Sequence, residues 1–162
     1  MPIRKNLAVY RDPYLPLMGP KERAICSRCG AVYHHKHWSI EKPLDLLTDK
    51  KIRSVVCPAC QRTHDAFPGG IVDLSGDFFK PHKEEILHLI RNEESRAKKT
   101  NPLERIISIK DEGNSVEVHT TSDRFAQRIG MEIQRAYKGD ITYHWSRDDK
   151  FIRVKWHREQ EP

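Results

Sequence analysis

From Ile71 onward the apolar positions follow two alternating periods. Ile71-Val72-Asp73-Leu74 is a short β-type run that ends near Ser75-Gly76-Asp77. Pro81 marks the first position of a following helix, a site that tolerates the missing N–H. Glu84 and Glu85 fall in its first turn and Arg96, Lys98 and Lys99 in its last, each matching the helix dipole. Ile86, Leu87, Leu89 and Ile90 form its apolar stripe, and Asn101-Pro102 closes it. Ile106, Ile107 and Ile109 predict a second strand, and Asp111-Glu112-Gly113-Asn114 a turn. Val116 and Val118 alternate with Glu117 and His119, as in a half-buried third strand.

Ser122 is positioned to cap a second helix, on which Ala126, Ile129, Ile133 and Ala136/Tyr137 recur at three- and four-residue steps. Gly139 is a natural stop. Residues Ile141 to Trp145 and Phe151 to Trp156 then predict a final hairpin around Arg147-Asp148-Asp149-Lys150. The succession β-α-β-β-α-β plus one more strand predicts an α+β fold over 71–157. Its expected form is a ferredoxin-like βαββαβ sandwich with an extra C-terminal strand. Pro68-Gly69-Gly70 is the expected boundary on its N-terminal side.

The first 70 residues read differently. Residues 1–20 carry Pro2, Pro13, Pro16 and Pro20 with no steady apolar period, which predicts an extended arm. Residues 21–67 contain all four cysteines, as Cys26-Ser27-Arg28-Cys29 and Cys57-Pro58-Ala59-Cys60, with 27 residues between the pairs. A Cys-x-x-Cys turn places two thiolates at neighbouring corners of a tetrahedron, and a second turn completes a Zn²⁺ site. Gly30 lets the backbone turn closely behind Cys29. The separation exceeds the common spacing of about 15–20 residues, so a longer finger is expected between the pairs. One structural Zn²⁺ held by Cys26, Cys29, Cys57 and Cys60 is the cofactor expected. The competing readings are a redox dithiol, which leaves one pair unexplained, and two disulfides, which conflict with a cytoplasmic location.

Charge sharpens the picture. The chain has 162 residues and a net charge of +6, from 29 Lys and Arg against 23 Asp and Glu. Residues 1–37 account for +5 of it, so the excess is concentrated at one end. A concentrated basic segment suits a polyanion such as nucleic acid, while a solubilising tail is the plainer alternative. The finger Ala31-Val32-Tyr33-His34-His35-Lys36-His37-Trp38 combines cations with two aromatic rings. Either it meets RNA by stacking and phosphate contact, or Tyr33 and Trp38 pack the small module with the histidines solvated beside them. Lys50, Lys51 and Arg53 add charge before the second cysteine pair, and Arg4, Lys5, Arg11 and Arg28 add it before and within the first. Arg124, Arg128 and Arg135 lie within about 40° of one another at about 100° per residue, a third candidate RNA contact on the last helix. No stretch is long and apolar enough to span a membrane, and the N-terminus lacks the apolar core of a secretory leader. A cytoplasmic protein without a membrane or small-molecule partner is expected.

Several of these segments, taken together, are familiar. Cys26-Ser-Arg-Cys-Gly-Ala-Val-Tyr-His through Trp38, Cys57-Pro-Ala-Cys-Gln-Arg, Leu74-Ser-Gly, Leu89-Ile-Arg-Asn-Glu-Glu, Arg128-Ile-Gly with Arg135-Ala-Tyr-Lys-Gly, and Asp12-Pro13-Tyr14 resemble small bacterial zinc-ribbon proteins of the BCAM type. More distantly, a ribbon followed by an α+β domain is similar to the amino-terminal region of the archaeal and eukaryotic large-ribosomal-subunit export adaptor, the nonsense-mediated-decay protein Nmd-three. That resemblance implies binding to the ribosome or structured rRNA, with the large subunit as the partner and assembly, hibernation or quality control as the role. The residues themselves match no nucleotide-binding loop, nucleophile elbow or carboxylate metal cluster, so no enzyme is expected. The alternatives are a DNA-binding transcriptional regulator and a thiol or RNA-processing enzyme.

Overall fold

The computed structural model describes residues 14, 18, 21–41, 48–146 and 150–160, and the description below is confined to them. Two sheets and three helices are present. The first sheet is built from three-residue strands: β1 (Ala24–Cys26), β2 (Val32–His34), β3 (His37–Ser39) and β4 (Arg53–Val55). Its order is β3-β2-β1-β4, with β1 antiparallel to β2 and parallel to β4. Helix α1 (Pro58–Asp65) follows. The sequence lacks an apolar stripe there and does not announce it. Local chemistry makes it: Pro58 opens the helix, Cys57 caps it, and the Thr63 hydroxyl donates to the Ala59 carbonyl at 2.7 Å.

The second sheet contains β5 (Gly70–Ser75), β6 (Ile106–Asp111), β7 (Val116–Thr120), β8 (Asp140–Trp145) and β9 (Ile152–His157). Helix α2 (Phe79–Thr100) joins β5 to β6, and α3 (Asp123–Tyr137) joins β7 to β8. The expected succession of elements is therefore present. Helix α2 begins two residues before Pro81, which thus occupies the third position of the first turn, where its missing N–H is still harmless. The Ser122 hydroxyl accepts from the Phe125 N–H at 3.0 Å, as a cap should.

The sheet order is β6-β7-β5-β9-β8. The last strand enters between β5 and β8, running parallel to β5 and antiparallel to β8. Period-two alternation explains the choice of face: Ile152, Val154 and Trp156 are all 0% exposed, and Val72, Leu74, Val116 and Val118 join them. Ile86 and Ile90 of α2 and Phe125, Ile129 and Ile133 of α3 complete one core, so both helices cover the same face of the sheet. The Gly69-Gly70 segment, at the boundary expected from the sequence, is tightly seated. The Gly69 N–H donates to the Thr120 carbonyl at 2.9 Å, and a Cβ at Gly70 would lie 2.5 Å from that of Ala126.

Between α2 and β6, residues 101–105 form a short, heavily bonded loop. Asn101 Oδ1 accepts from the Leu103 N–H at 3.0 Å. The Thr121 hydroxyl donates to the Leu103 carbonyl at 2.6 Å and accepts from the Arg105 N–H at 3.0 Å. Glu104 accepts from the Ser122 hydroxyl. Burial pushes the Glu104 carboxyl up, against the opposing pull of Ser122 and of Arg124. A carboxyl whose pKa is raised on folding destabilises the fold at any pH where it must ionise, and ceases to do so once protonated. Glu104→Gln keeps the acceptor for Ser122 without the charge. Calorimetry at pH 7 is expected to give a higher melting temperature for this variant, with the gain shrinking as the pH falls towards 4.5, the ordinary value of the carboxyl. An equal gain at both pH values would contradict the assignment.

Candidate metal centre

The four cysteines come from two kinds of turn. Cys26 ends β1, and the chain reverses through Gly30 at φ 79, whose N–H donates to the Cys26 carbonyl at 3.0 Å. Cys57 and Cys60 straddle the start of α1, and the Cys60 N–H donates to Cys57 Sγ at 3.4 Å. The second pair thus sits at a helix N-terminus, where exposed N–H groups favour thiolate over thiol. Cys26 Sγ accepts from the N–H groups of Arg28 at 3.4 Å and Cys57 at 3.3 Å. Burial pushes the Cys26 thiol up, but donors on the backbone outweigh it and bring its pKa down to about 6. Burial pushes Cys57 and Cys60 up.

All four Sγ atoms lie within 4.8 Å of one another, and no disulfide joins them. Cys26 and Cys60 are 3.8 Å apart, and Cys29 and Cys57 are 3.7 Å apart. A tetrahedral site with metal–sulfur bonds of about 2.3 Å has edges of about 3.8 Å, so the sulfurs fit a single four-coordinate metal ion. A metal held by all four has no open position for water or substrate. Among the described residues no other cluster of His, Cys, Asp or Glu could hold a metal.

One contributor was invisible in the sequence. Arg105, from the loop before β6, reaches across and donates from Nη1 to Cys60 Sγ at 3.2 Å. Its Nη2 donates to Cys29 Sγ at 3.0 Å and to Cys57 Sγ at 3.6 Å. Its Nε–H donates to the Pro102 carbonyl at 2.7 Å. Burial works against the guanidinium charge, but the bonds to Cys60 and Cys29 more than compensate and raise its pKa. Arg105 belongs to no spacing motif and lies 45 residues beyond Cys60, so only the tertiary fold reveals the contact.

The residues expected to touch RNA fall in several patches. The β2–β3 hairpin carries His35, Lys36 and His37 exposed at its tip, with Tyr33, His34 and Trp38 half-buried. His35 and Lys36 have φ of 51 and 65, the signature of a two-residue I′ turn that usually selects Asn-Gly. Trp38 packs against the cysteine cluster, and its ring lies 5.4 Å from that of Tyr33, so packing is at least part of what these rings do. Lys50, Lys51 and Arg53 lie at or before β4, at the opposite edge of the small sheet, and Arg53 is paired with Glu22 at 2.7 Å. Arg28 is exposed between the first two cysteines.

On α3, Arg124, Arg128 and Arg135 are all exposed. Arg128 pairs with the buried Glu93 of α2 at 3.3 Å, and Arg135 pairs with Glu132 at 2.7 Å. Much of that stripe's charge is thus answered within the chain. Arg4, Lys5 and Arg11 lie outside the described residues. Comparison with protein-family models, with curated proteins and with solved structures finds no match to this chain. Among the described residues no helix is long and apolar enough to cross a membrane.

Proposed function

We propose that the chain is a zinc-stabilised RNA-binding protein of the cytoplasm whose target is the large ribosomal subunit, and that it is not an enzyme. The observation that carries this reading is the β2–β3 hairpin. It holds His34, His35, Lys36 and His37 together at a turn with two left-handed residues, braced through Trp38 against the four-sulfur cluster. Left-handed backbone at non-glycine residues costs about 1–3 kcal/mol and persists only where the surroundings enforce it. Here it presents His35 and Lys36 rather than the usual turn residues. Zinc is the metal that best suits four thiolates in a tetrahedron, and its role is to hold the hairpin in place. The ribosomal target rests on the resemblance stated above and on the basic residues concentrated in positions 1–37 of the sequence. The C-terminal domain is read as a ferredoxin-like sandwich in which β9 takes the place beside β5 that β8 would otherwise hold. Support comes from the element order and from both helices sharing one face.

Sedimentation through a sucrose gradient at low salt tests the target: the full-length protein should travel with the large subunit. Binding to an rRNA fragment over a salt series tests the surface. Each phosphate contact contributes roughly 0.7–0.9 to the slope of log affinity against log salt, so a combined Arg28→Ala and Lys36→Ala change should flatten it by about 1.5. Protein that stays at the top of the gradient, or an unchanged slope, defeats the reading. Tighter binding to duplex DNA than to rRNA at matched salt would favour a transcriptional regulator instead.

A further inference from the structure

We propose that Arg105 is a clasp through which the metal centre holds the C-terminal domain, so that metal occupancy governs how firmly the hairpin-bearing module docks. This rests on the metal reading above and adds a regulatory consequence to it. The guanidinium fork donates to sulfurs of both cysteine pairs, Cys29 from the first and Cys57 and Cys60 from the second. Those three acceptors are within reach of one planar group only while the two pairs are held together. The ion that gathers the sulfurs therefore also assembles the binding site for Arg105. Four thiolates around a divalent ion carry a net charge of −2, and hydrogen bonds from a guanidinium to such acceptors are among the stronger ones available.

The other half of the clasp is tied to the C-terminal part of the chain by bonds of its own. Nε–H of Arg105 is fixed by the Pro102 carbonyl, its backbone N–H by Thr121 Oγ1, and its carbonyl by the Thr121 N–H at 2.9 Å. The next residue, Ile106, donates its N–H to Glu94 Oε2 at 2.5 Å. These partners all belong to the C-terminal domain. Leu103, on the same loop, packs against the cysteine cluster. The loop is thus a pedestal that delivers one charged group and one apolar group to the metal module. Coupling of this kind is reciprocal: if the metal strengthens docking, docking strengthens retention of the metal.

The test uses full-length wild type, Arg105→Met, Arg105→Lys and Thr121→Val. Zinc retention is measured by competition with a chromophoric chelator, and amide hydrogen exchange is followed with and without chelation. Loss of an outer-shell partner typically weakens metal binding roughly 10- to 100-fold, which is the loss expected for Arg105→Met, with Arg105→Lys in between. Thr121→Val, which touches no sulfur, should move retention in the same direction by less. Chelating the wild type should speed exchange at the Leu103, Arg105 and Ile106 amides, although their acceptors lie outside the metal module. Zinc retention by Arg105→Met within about twofold of wild type overturns the clasp, since outer-shell contacts normally count for far more. Unchanged exchange at those three amides overturns it as well. A wild type that takes up no zinc fails earlier, sinking the metal reading and the clasp with it.

Discussion

Chelating the metal from the full-length protein is expected to unfold the N-terminal module while the C-terminal domain keeps its fold. The module has almost no apolar core without its cysteines: the buried cluster is Cys26, Ala31, Cys57, Ala59 and Cys60, with Trp38, Val56 and Leu103 packed around it. Its strands are three residues long, too short to hold by ladder hydrogen bonds alone. A module of this size needs a staple, and structural zinc supplies about 10–16 kcal/mol of apparent binding energy in comparable small domains. The larger core contains no module residue, so it should survive. In heteronuclear NMR, chelation or Cys57→Ser should collapse the resonances of residues 24–39 and 53–60 into the narrow range of an unfolded chain and leave those of β7, α3 and β9 dispersed. Elemental analysis should find one zinc per chain before chelation. Retention of dispersed module resonances after complete metal removal would show that the sulfurs are not what holds it.

The two halves of the molecule were unequally legible in the sequence, for physical reasons. Cys26, Cys29, Cys57 and Cys60 announce themselves because spacing alone brings two thiolates to one turn, and the structure brings the two turns together. The strands and long helices of the C-terminal domain follow from periodicity, since each must bury one face. What periodicity cannot supply is sheet order: nothing in Ile152-Arg153-Val154-Lys155-Trp156 says that this strand lies beside β5 rather than at an edge. Nor could it supply α1, whose caps rather than any apolar stripe define it. Arg105 was hidden because its meaning depends on a loop that meets Cys29 from 76 residues away in the chain. The α3 arginines stand out as a basic stripe in the sequence, but their partners do not: Glu93, which pairs with Arg128, is contributed by another helix.

Trp156→Ala is expected to cost about 3–5 kcal/mol, the usual range for emptying a large aromatic site in a core. That is a large part of the roughly 5–15 kcal/mol by which domains are stable. Trp156 is 0% exposed and meets the Phe79 ring edge-on at 6.4 Å, so it ties the last strand to the start of α2. Its indole N–H donates to the Lys138 carbonyl at 2.5 Å, which fixes the chain where it leaves α3 at a positive φ of 59. Because β9 lies between β5 and β8 in the sheet order, loosening it should free β8 as well. Trp156→Phe keeps most of the volume and loses the hydrogen bond, so it should cost roughly 1–2 kcal/mol. Urea unfolding followed at the C-terminal domain measures both. A loss below about 1 kcal/mol for the alanine variant, far under what a filled aromatic site normally contributes, would mean that β9 is not the inserted, buried strand described here.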